Sequence, residues 1–95
     1  MGIALTARER AALKARAHAL EPVVQIGQSG LTETVIGEAE RALMAHELIK
    51  VKIGVADRTE RARIAAALSA ATGATHVQSV GTIAVLWRPR PDAED

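Results

Sequence analysis

The residues of this 95-residue chain whose types and spacing best suit chemistry form the short motif Gly27-Gln28-Ser29-Gly30. An apolar run from Pro22 to Ile26 precedes the motif, and a helical pattern that begins near Thr32 follows it. Glycine lets a ligand approach the backbone closely, and the first amides of a helix point outward at the positive end of its dipole. The motif is therefore suited to holding a phosphate, although paired glycines also occur in strand-to-helix turns for geometric reasons alone.

The residues around this motif and elsewhere in the chain lack the sequence signatures of an enzyme. Leu31-Thr32 stands where a Walker-type loop has Gly-Lys-Ser/Thr, and neither a third glycine nor a downstream acid completes a dinucleotide-binding fingerprint. The three histidines are scattered, and there is no cysteine, no His-Glu-x-x-His helix and no serine nucleophile elbow. We expect no catalytic residue, no metal site and no cofactor.

Composition and charge predict one small, mildly basic domain. A chain with 48% hydrophobic residues and no cysteine suits a single core in a reducing compartment. No apolar run approaches a membrane span or a signal peptide, so we expect a cytoplasmic protein. Three of the eleven acids lie in the last four residues, so residues 1–91 carry 12 basic and 8 acidic groups, a net charge of +4. We predict a single domain over residues 1–91 and a disordered acidic tail over residues 92–95.

Capping signals and apolar spacing predict three helices. Thr6 with Glu9, and Asp57 with Glu60, have the spacing of capping boxes, and Gly73 suits a helix C-terminus. The helices are expected over about residues 6–17, 32–45 and 57–73. His18, near the end of the first helix, is expected to cap the last carbonyls, with direct ligand binding as the alternative.

Four strands are predicted, over residues 23–26, 48–54, 74–80 and 82–88, and the last two form a hairpin at Gly81. The second strand alternates cleanly, which places Lys50 and Lys52 on the face opposite its isoleucines and valine. These lysines either solubilise an open sheet face or meet phosphates.

The order α-β-α-β-α-β-β predicts an α/β fold. Right-handed crossovers make the first three strands run largely in one direction, with the last antiparallel to its neighbour. Helices must cover at least one face of the resulting sheet. We therefore predict a two-layer sandwich with a mixed four-stranded sheet.

The sequence resembles the CRM domain family, named for chloroplast RNA splicing and ribosome maturation, in its single-domain, YhbY-like bacterial form. The resemblance runs from about Leu5 to Pro89, and three separated segments carry it: Pro22 to Thr32, His46 to Ile53 and Gly81 to Pro89. It implies a sheet topology similar to the C-terminal domain of translation initiation factor 3. It also implies RNA binding, association with precursors of the large ribosomal subunit, and a role in ribosome assembly.

The resemblance also implies a set of binding residues. The family's RNA-binding loop matches Gly27, Gln28, Ser29 and Gly30, and the surrounding basic surface matches Lys14, His18, Lys50 and Lys52. Arg16 and Ala19 depart from the family pattern at the end of the first helix, where relatives have an apolar residue and a proline. The loop centre has no basic residue, so the positive charge must come from its neighbours.

Two functions from different classes follow. The first is RNA binding without catalysis, with ribosomal RNA as the partner, ribosomal proteins as further partners, and a monomeric protein. The second is a protein-interaction module that docks on a ribosomal or other protein without touching RNA. Reversing the charge of Lys50 and Lys52 distinguishes them, because only the first function requires those cations.

Overall fold

The computed structural model describes residues 4–90, which form three helices and four strands in the predicted order. The helices are α1 (Ala7–Ala17), α2 (Glu33–His46) and α3 (Arg58–Thr72). The strands are β1 (Pro22–Ile26), β2 (Leu48–Ile53), β3 (Thr75–Val80) and β4 (Ile83–Trp87). The acidic tail predicted for residues 92–95 lies outside the described residues, as do residues 1–3 and 91 of the predicted domain.

Local sequence signals set the helix ends, although only one of the two predicted capping boxes forms. The Thr6 hydroxyl accepts from the Glu9 amide at 3.0 Å and the Glu9 carboxylate accepts from the Thr6 amide at 2.9 Å, so the first capping box is confirmed. The second capping box is not formed. The Asp57 carboxylate accepts from the Thr59 amide, while Glu60 pairs with Arg63 at 3.2 Å, one helical turn further on.

The sheet has the strand order β1-β2-β4-β3. Strand β1 is parallel to β2, whereas β4 lies antiparallel to both β2 and β3. The first three strands therefore run in one direction and the fourth runs against them, as predicted. This arrangement confirms the α/β fold with a mixed sheet, and it places the carboxyl ends of β1 and β2 at the same edge.

Helices α2 and α3 form one layer on the sheet, and we call the side that they cover the helix-covered face. Its buried strand residues include Ile49, Val51 and Ile53 of β2 and Leu86 of β4. These side chains form the larger of the two hydrophobic clusters in residues 4–90. This layer and the sheet correspond to the predicted sandwich, to which α1 adds a further layer on the other side of the sheet.

Helix α1 lies alone on the other side of the sheet, which we call the lysine face because Lys50 and Lys52 lie on it. Leu13 and Ala17 pack there against a smaller cluster formed by Leu48, Val77 and Val85. Leu48 is the first residue of β2, whereas the Gly-x-x-Gly motif lies at the opposite end of this strand, beside Ile53. Helix α1 therefore covers the half of the lysine face that is farther from the motif. The other half of the lysine face stays open.

Candidate nucleic-acid interface

Three connecting segments meet at the sheet edge where β1 and β2 end. Ile26 and Ile53 are register partners, and the Gly54 amide donates to the Ile26 carbonyl at 2.7 Å. The Ile53 amide donates to the carbonyl of Thr82, in the β3–β4 turn, also at 2.7 Å. These bonds bring the Gly-x-x-Gly motif, residues 54–56 and the β3–β4 turn to one edge of the sheet.

The Gly-x-x-Gly motif forms a β-turn. The Gly30 amide donates to the Gly27 carbonyl at 3.0 Å, and Gln28 and Ser29 form the exposed tip. Neither of these two side chains has a hydrogen-bond partner within residues 4–90, so both remain available to a ligand. Helix α2 begins directly after the turn, where the Thr32 hydroxyl accepts from the Val35 amide at 3.2 Å.

The two glycines of the turn differ in what the fold requires of them. Gly30 has φ +76°, in the left-handed region where a side chain is strained. Gly27 has no such φ, and a Cβ built on it meets no atom within 4 Å. Turn geometry therefore explains why position 30 is a glycine but not why position 27 is one. Close approach of a ligand to the backbone would account for glycine at both positions.

Lys52 lies on the open part of the lysine face, close to this edge. It is exposed, and its register partners are Gln25 on β1 and Ile83 on β4. Lys50 lies two residues earlier on the same face and is half-buried. Exposed Gln25 was not among the predicted site residues, although the alternation of β1 places it beside Lys52.

Lys14 and His18 lie farther from the turn. They are one helical turn apart on the same flank of α1, and both are exposed. Arg16, on the opposite flank, lines a shallow pocket with His46 and Leu48. His18 is the C-cap residue of α1, and its backbone amide donates to the Lys14 and Ala15 carbonyls, so it caps the helix end as predicted. Its imidazole has no hydrogen-bond partner in the part of the chain described. The structure thus places Lys52 near the glycine turn, whereas Lys14 and His18 lie beside the half of the lysine face that α1 covers.

Internal partners divide the twelve basic side chains, all of which lie within residues 4–90, into two groups. Five arginines are engaged by carbonyls or carboxylates: Arg10, Arg61, Arg63, Arg88 and Arg90. The other seven have no partner among the described residues: Arg8, Lys14, Arg16, Arg41, Lys50, Lys52 and Arg58. All three lysines are therefore free to neutralise an external anion.

Two kinds of feature are absent from the described residues. No helix in residues 4–90 is both long and apolar enough to cross a membrane. The same residues contain no group of three or more histidine or acidic side chains arranged to hold a metal ion.

Comparison with known proteins identifies relatives over nearly the whole chain. The model of the CRS1/YhbY (CRM) domain family matches residues 5–88. An RNA-binding protein of Haemophilus influenzae is 47% identical over 90 residues, which cover 95% of this chain and 91% of the relative. A probable RNA-binding protein of Pseudomonas aeruginosa is 42% identical over 89 residues, covering 94% and 86% of the two chains.

A solved structure has the same fold. The solution structure of a hypothetical Staphylococcus aureus protein, described as a candidate RNA-binding protein, superposes with a TM-score of 0.83 at 31% identity. The match covers 95% of this chain and 94% of the other.

Proposed function

This chain belongs to the CRS1/YhbY (CRM) domain family, and we propose that it binds RNA without catalysing a reaction. The names of its relatives support RNA as the partner. The observation that carries the proposal is that all three lysines lack internal partners, and Lys52 lies near an exposed glycine turn. A phosphate backbone is the ligand that such an arrangement neutralises.

In this mechanism the RNA backbone approaches the turn at Gly27, where no side chain obstructs it. Gln28 and Ser29 donate hydrogen bonds, and the N-terminus of α2 adds the positive end of its dipole. Lys52 and Lys50 neutralise phosphates along the open part of the lysine face. Lys14 and His18 extend the same surface along α1.

The composition favours recognition of the RNA backbone over stacking of bases on the sheet. The chain has no phenylalanine or tyrosine, and its one tryptophan, Trp87, is half-buried and packs against the smaller hydrophobic cluster under α1. An RNA-recognition motif needs exposed aromatic rings on its sheet to stack bases. This protein therefore reads the shape and charge of its RNA on the lysine face.

We further propose that the RNA is ribosomal, within precursors of the large subunit, and that the protein assists their assembly as a cytoplasmic monomer. Sedimentation of the tagged protein in a lysate gradient tests this. Co-migration with a large-subunit precursor, lost after nuclease treatment or at high salt, is the expected result. A protein that stays at the top of the gradient in every condition would contradict the ribosomal assignment.

The same gradient distinguishes RNA binding from docking on a protein. The charge-reversed variant Lys50→Glu/Lys52→Glu should leave the precursor fraction, because it places negative charge where phosphates are expected. Arg41→Glu, which reverses one exposed and unpartnered cation on α2, is a control for charge reversal away from the lysine face and should co-migrate like the wild type. Retention of the lysine variant would favour a protein-interaction module.

A further inference from the structure

A groove of about 840 Å³ lies on the helix-covered face, between α3 and the β3–β4 hairpin. This volume is within the range of about 300–1,000 Å³ typical of small-ligand sites. The methyl groups of Ala62, Ala65 and Ala66 line its α3 side, while His76 and Ser79 line its β3 side. We call it the α3–β3 groove.

A strand irregularity places the two polar residues of β3 in the groove. His76 and Ser79 are register partners of Leu86 and Ala84, whose side chains lie in the core of the helix-covered face. The register shifts between His76 and Gln78, and Val77 packs on the lysine face instead. Because of this bulge, side chains three residues apart lie on the same side of β3.

The charge of the α3–β3 groove favours an anionic ligand. Its fourteen lining residues include two arginines and no aspartate or glutamate. Arg58, at the start of α3, is exposed and has no partner within residues 4–90. Arg61 donates to the Val55 and Ala56 carbonyls at 2.7 Å each, and its Nε atom is buried without a partner.

Polar atoms that match the edges of nucleobases line the walls. The Ser69 Oγ atom is buried and has no hydrogen-bond partner among the described residues. His76 Nε2 and Ser79 Oγ lie 2.8 Å apart. Partial burial, with the nearby positive charge of Arg10, lowers the pKa of His76 and so favours the neutral ring, which has one donor and one acceptor nitrogen.

We propose that the α3–β3 groove takes one unstacked nucleotide of single-stranded RNA, with its base against the methyl groups of Ala62 and Ala66 and its phosphate on Arg58. His76 and Ser79, which are exposed, then bond the base edge. This inference rests on the proposed RNA-binding function and adds a second site on the opposite side of the sheet.

The groove adjoins the edge that carries the glycine turn. Gly81 and Thr82 of the β3–β4 turn line it, and the Thr82 carbonyl accepts from Ile53 at that edge. Strand β3, which carries His76 and Ser79, is the third neighbour of β1, so about 14 Å of sheet separates the two strands. A single strand bound at the glycine turn can therefore cross the edge and place an unpaired base from further along its chain in the groove.

Fluorescence anisotropy with two labelled probes tests the proposal: a short single-stranded RNA of mixed sequence and a duplex of the same length. Ala66→Leu places a larger apolar side chain where the base is proposed to lie, and Arg58→Gln removes the free cation of the groove. Ala67→Leu is the matched control, because Ala67 is an exposed alanine of α3 that does not line the groove. Thermal unfolding of each variant monitors the fold.

Arg58→Gln should weaken binding of the single strand by about tenfold, the magnitude of one lost charged hydrogen bond. Ala66→Leu should weaken it by a similar factor, because the larger side chain occupies the position of the base. Ala66→Leu should leave duplex affinity unchanged, because a paired base cannot enter the groove. Ala67→Leu should match the wild type with both probes.

The outcomes separate this proposal from the proposed function. If the wild type binds RNA and the folded Ala66→Leu variant binds the single strand equally well, the groove proposal is overturned alone, and a protein segment becomes the better occupant. A wild type that binds neither probe overturns both proposals. As a second readout, amide shifts at residues 62–69 and 76–79 on titration with nucleoside 5′-monophosphates support the groove, and their absence counts against it.

Discussion

The two faces of the sheet are built from the same strands but differ in chemistry. On β2, Ile49, Val51 and Ile53 are almost completely buried on the helix-covered face. On the lysine face, Leu48 is buried under α1, whereas Lys50 is half-buried and Lys52 is exposed. The difference shows that one strand can hold the core together with one set of side chains and present cations with the other.

The coverage of each face explains this difference. Two helices pack on the helix-covered face, so an unpaired charge there would be desolvated at a large cost. The single helix α1 covers the lysine face only around Leu48, Val77 and Val85. The uncovered half lies next to the glycine turn, and it tolerates free lysines because water solvates them.

The largest effect on stability should come from the helix-covered face. Leu86→Ala removes a side chain of zero exposure from its core and should lower the free energy of unfolding by about 2–5 kcal/mol. Lys52→Ala, on the lysine face, should change it by less than about 0.5 kcal/mol. Urea denaturation measures both values, and equal losses would contradict the division between the faces.

The next largest effect should be on binding at the glycine turn. Gly27→Asp/Gly30→Asp adds two negative charges where phosphates are expected and should weaken RNA affinity by at least about tenfold. The matched variant Gly27→Asn/Gly30→Asn has side chains of the same shape without charge, and asparagine tolerates positive φ. If the folded aspartate variant binds RNA as tightly as the asparagine variant, charge at the turn does not matter.

A smaller effect should separate the two glycines. Gly30→Ala places a side chain at φ +76° and should lower the free energy of unfolding by about 1–2 kcal/mol. Gly27→Ala meets no atom within 4 Å and should leave stability unchanged or raised by less than about 1 kcal/mol. Thermal unfolding compares the two variants. A Gly27→Ala variant that unfolds as readily as Gly30→Ala would mean that turn geometry requires both glycines.

The smallest effect should be a pH dependence from His76. Because the folded protein lowers the pKa of His76 below 6.5, the unfolded chain binds more protons as the pH falls through that value. This contribution to the free energy of unfolding is fully present above pH 6.5 and decreases as the pH falls toward the folded pKa. Below the folded pKa the contribution is lost, and the free energy of unfolding no longer changes with pH on account of His76. His76→Gln should therefore lose less stability than the wild type in urea denaturation between about pH 7.5 and pH 5. Identical losses would exclude this contribution.

Local signals in the sequence predicted most of the fold. Thr6 caps α1, Gly73 ends α3 in the left-handed conformation, and Gly81 joins the last two strands with positive φ. These features depend on residues within one turn of each other, so the sequence reveals them directly. The alternation of Lys50 and Lys52 with buried residues was predicted for the same reason.

Long-range pairings were not predictable in this way. The strand order and the position of α1 depend on contacts between residues far apart in the chain. Arg10, for example, donates to the His76 and Val77 carbonyls of β3, more than sixty positions away. Competition among local partners also misled the prediction at Glu60, which pairs with Arg63 instead of completing a capping box. The α3–β3 groove depends on the bulge in β3, which no sequence pattern predicted.

Salt dependence of RNA affinity tests the central claim most directly. Anisotropy with single-stranded RNA gives the slope of log affinity against log salt for the wild type, Lys50→Gln/Lys52→Gln and the control Arg41→Gln. Each phosphate contact contributes about 0.7 to this slope, so the lysine variant should be shallower by about 1.4. The control should match the wild type. An unchanged slope in the lysine variant, or a wild-type affinity independent of salt, would contradict binding of the RNA backbone on the lysine face.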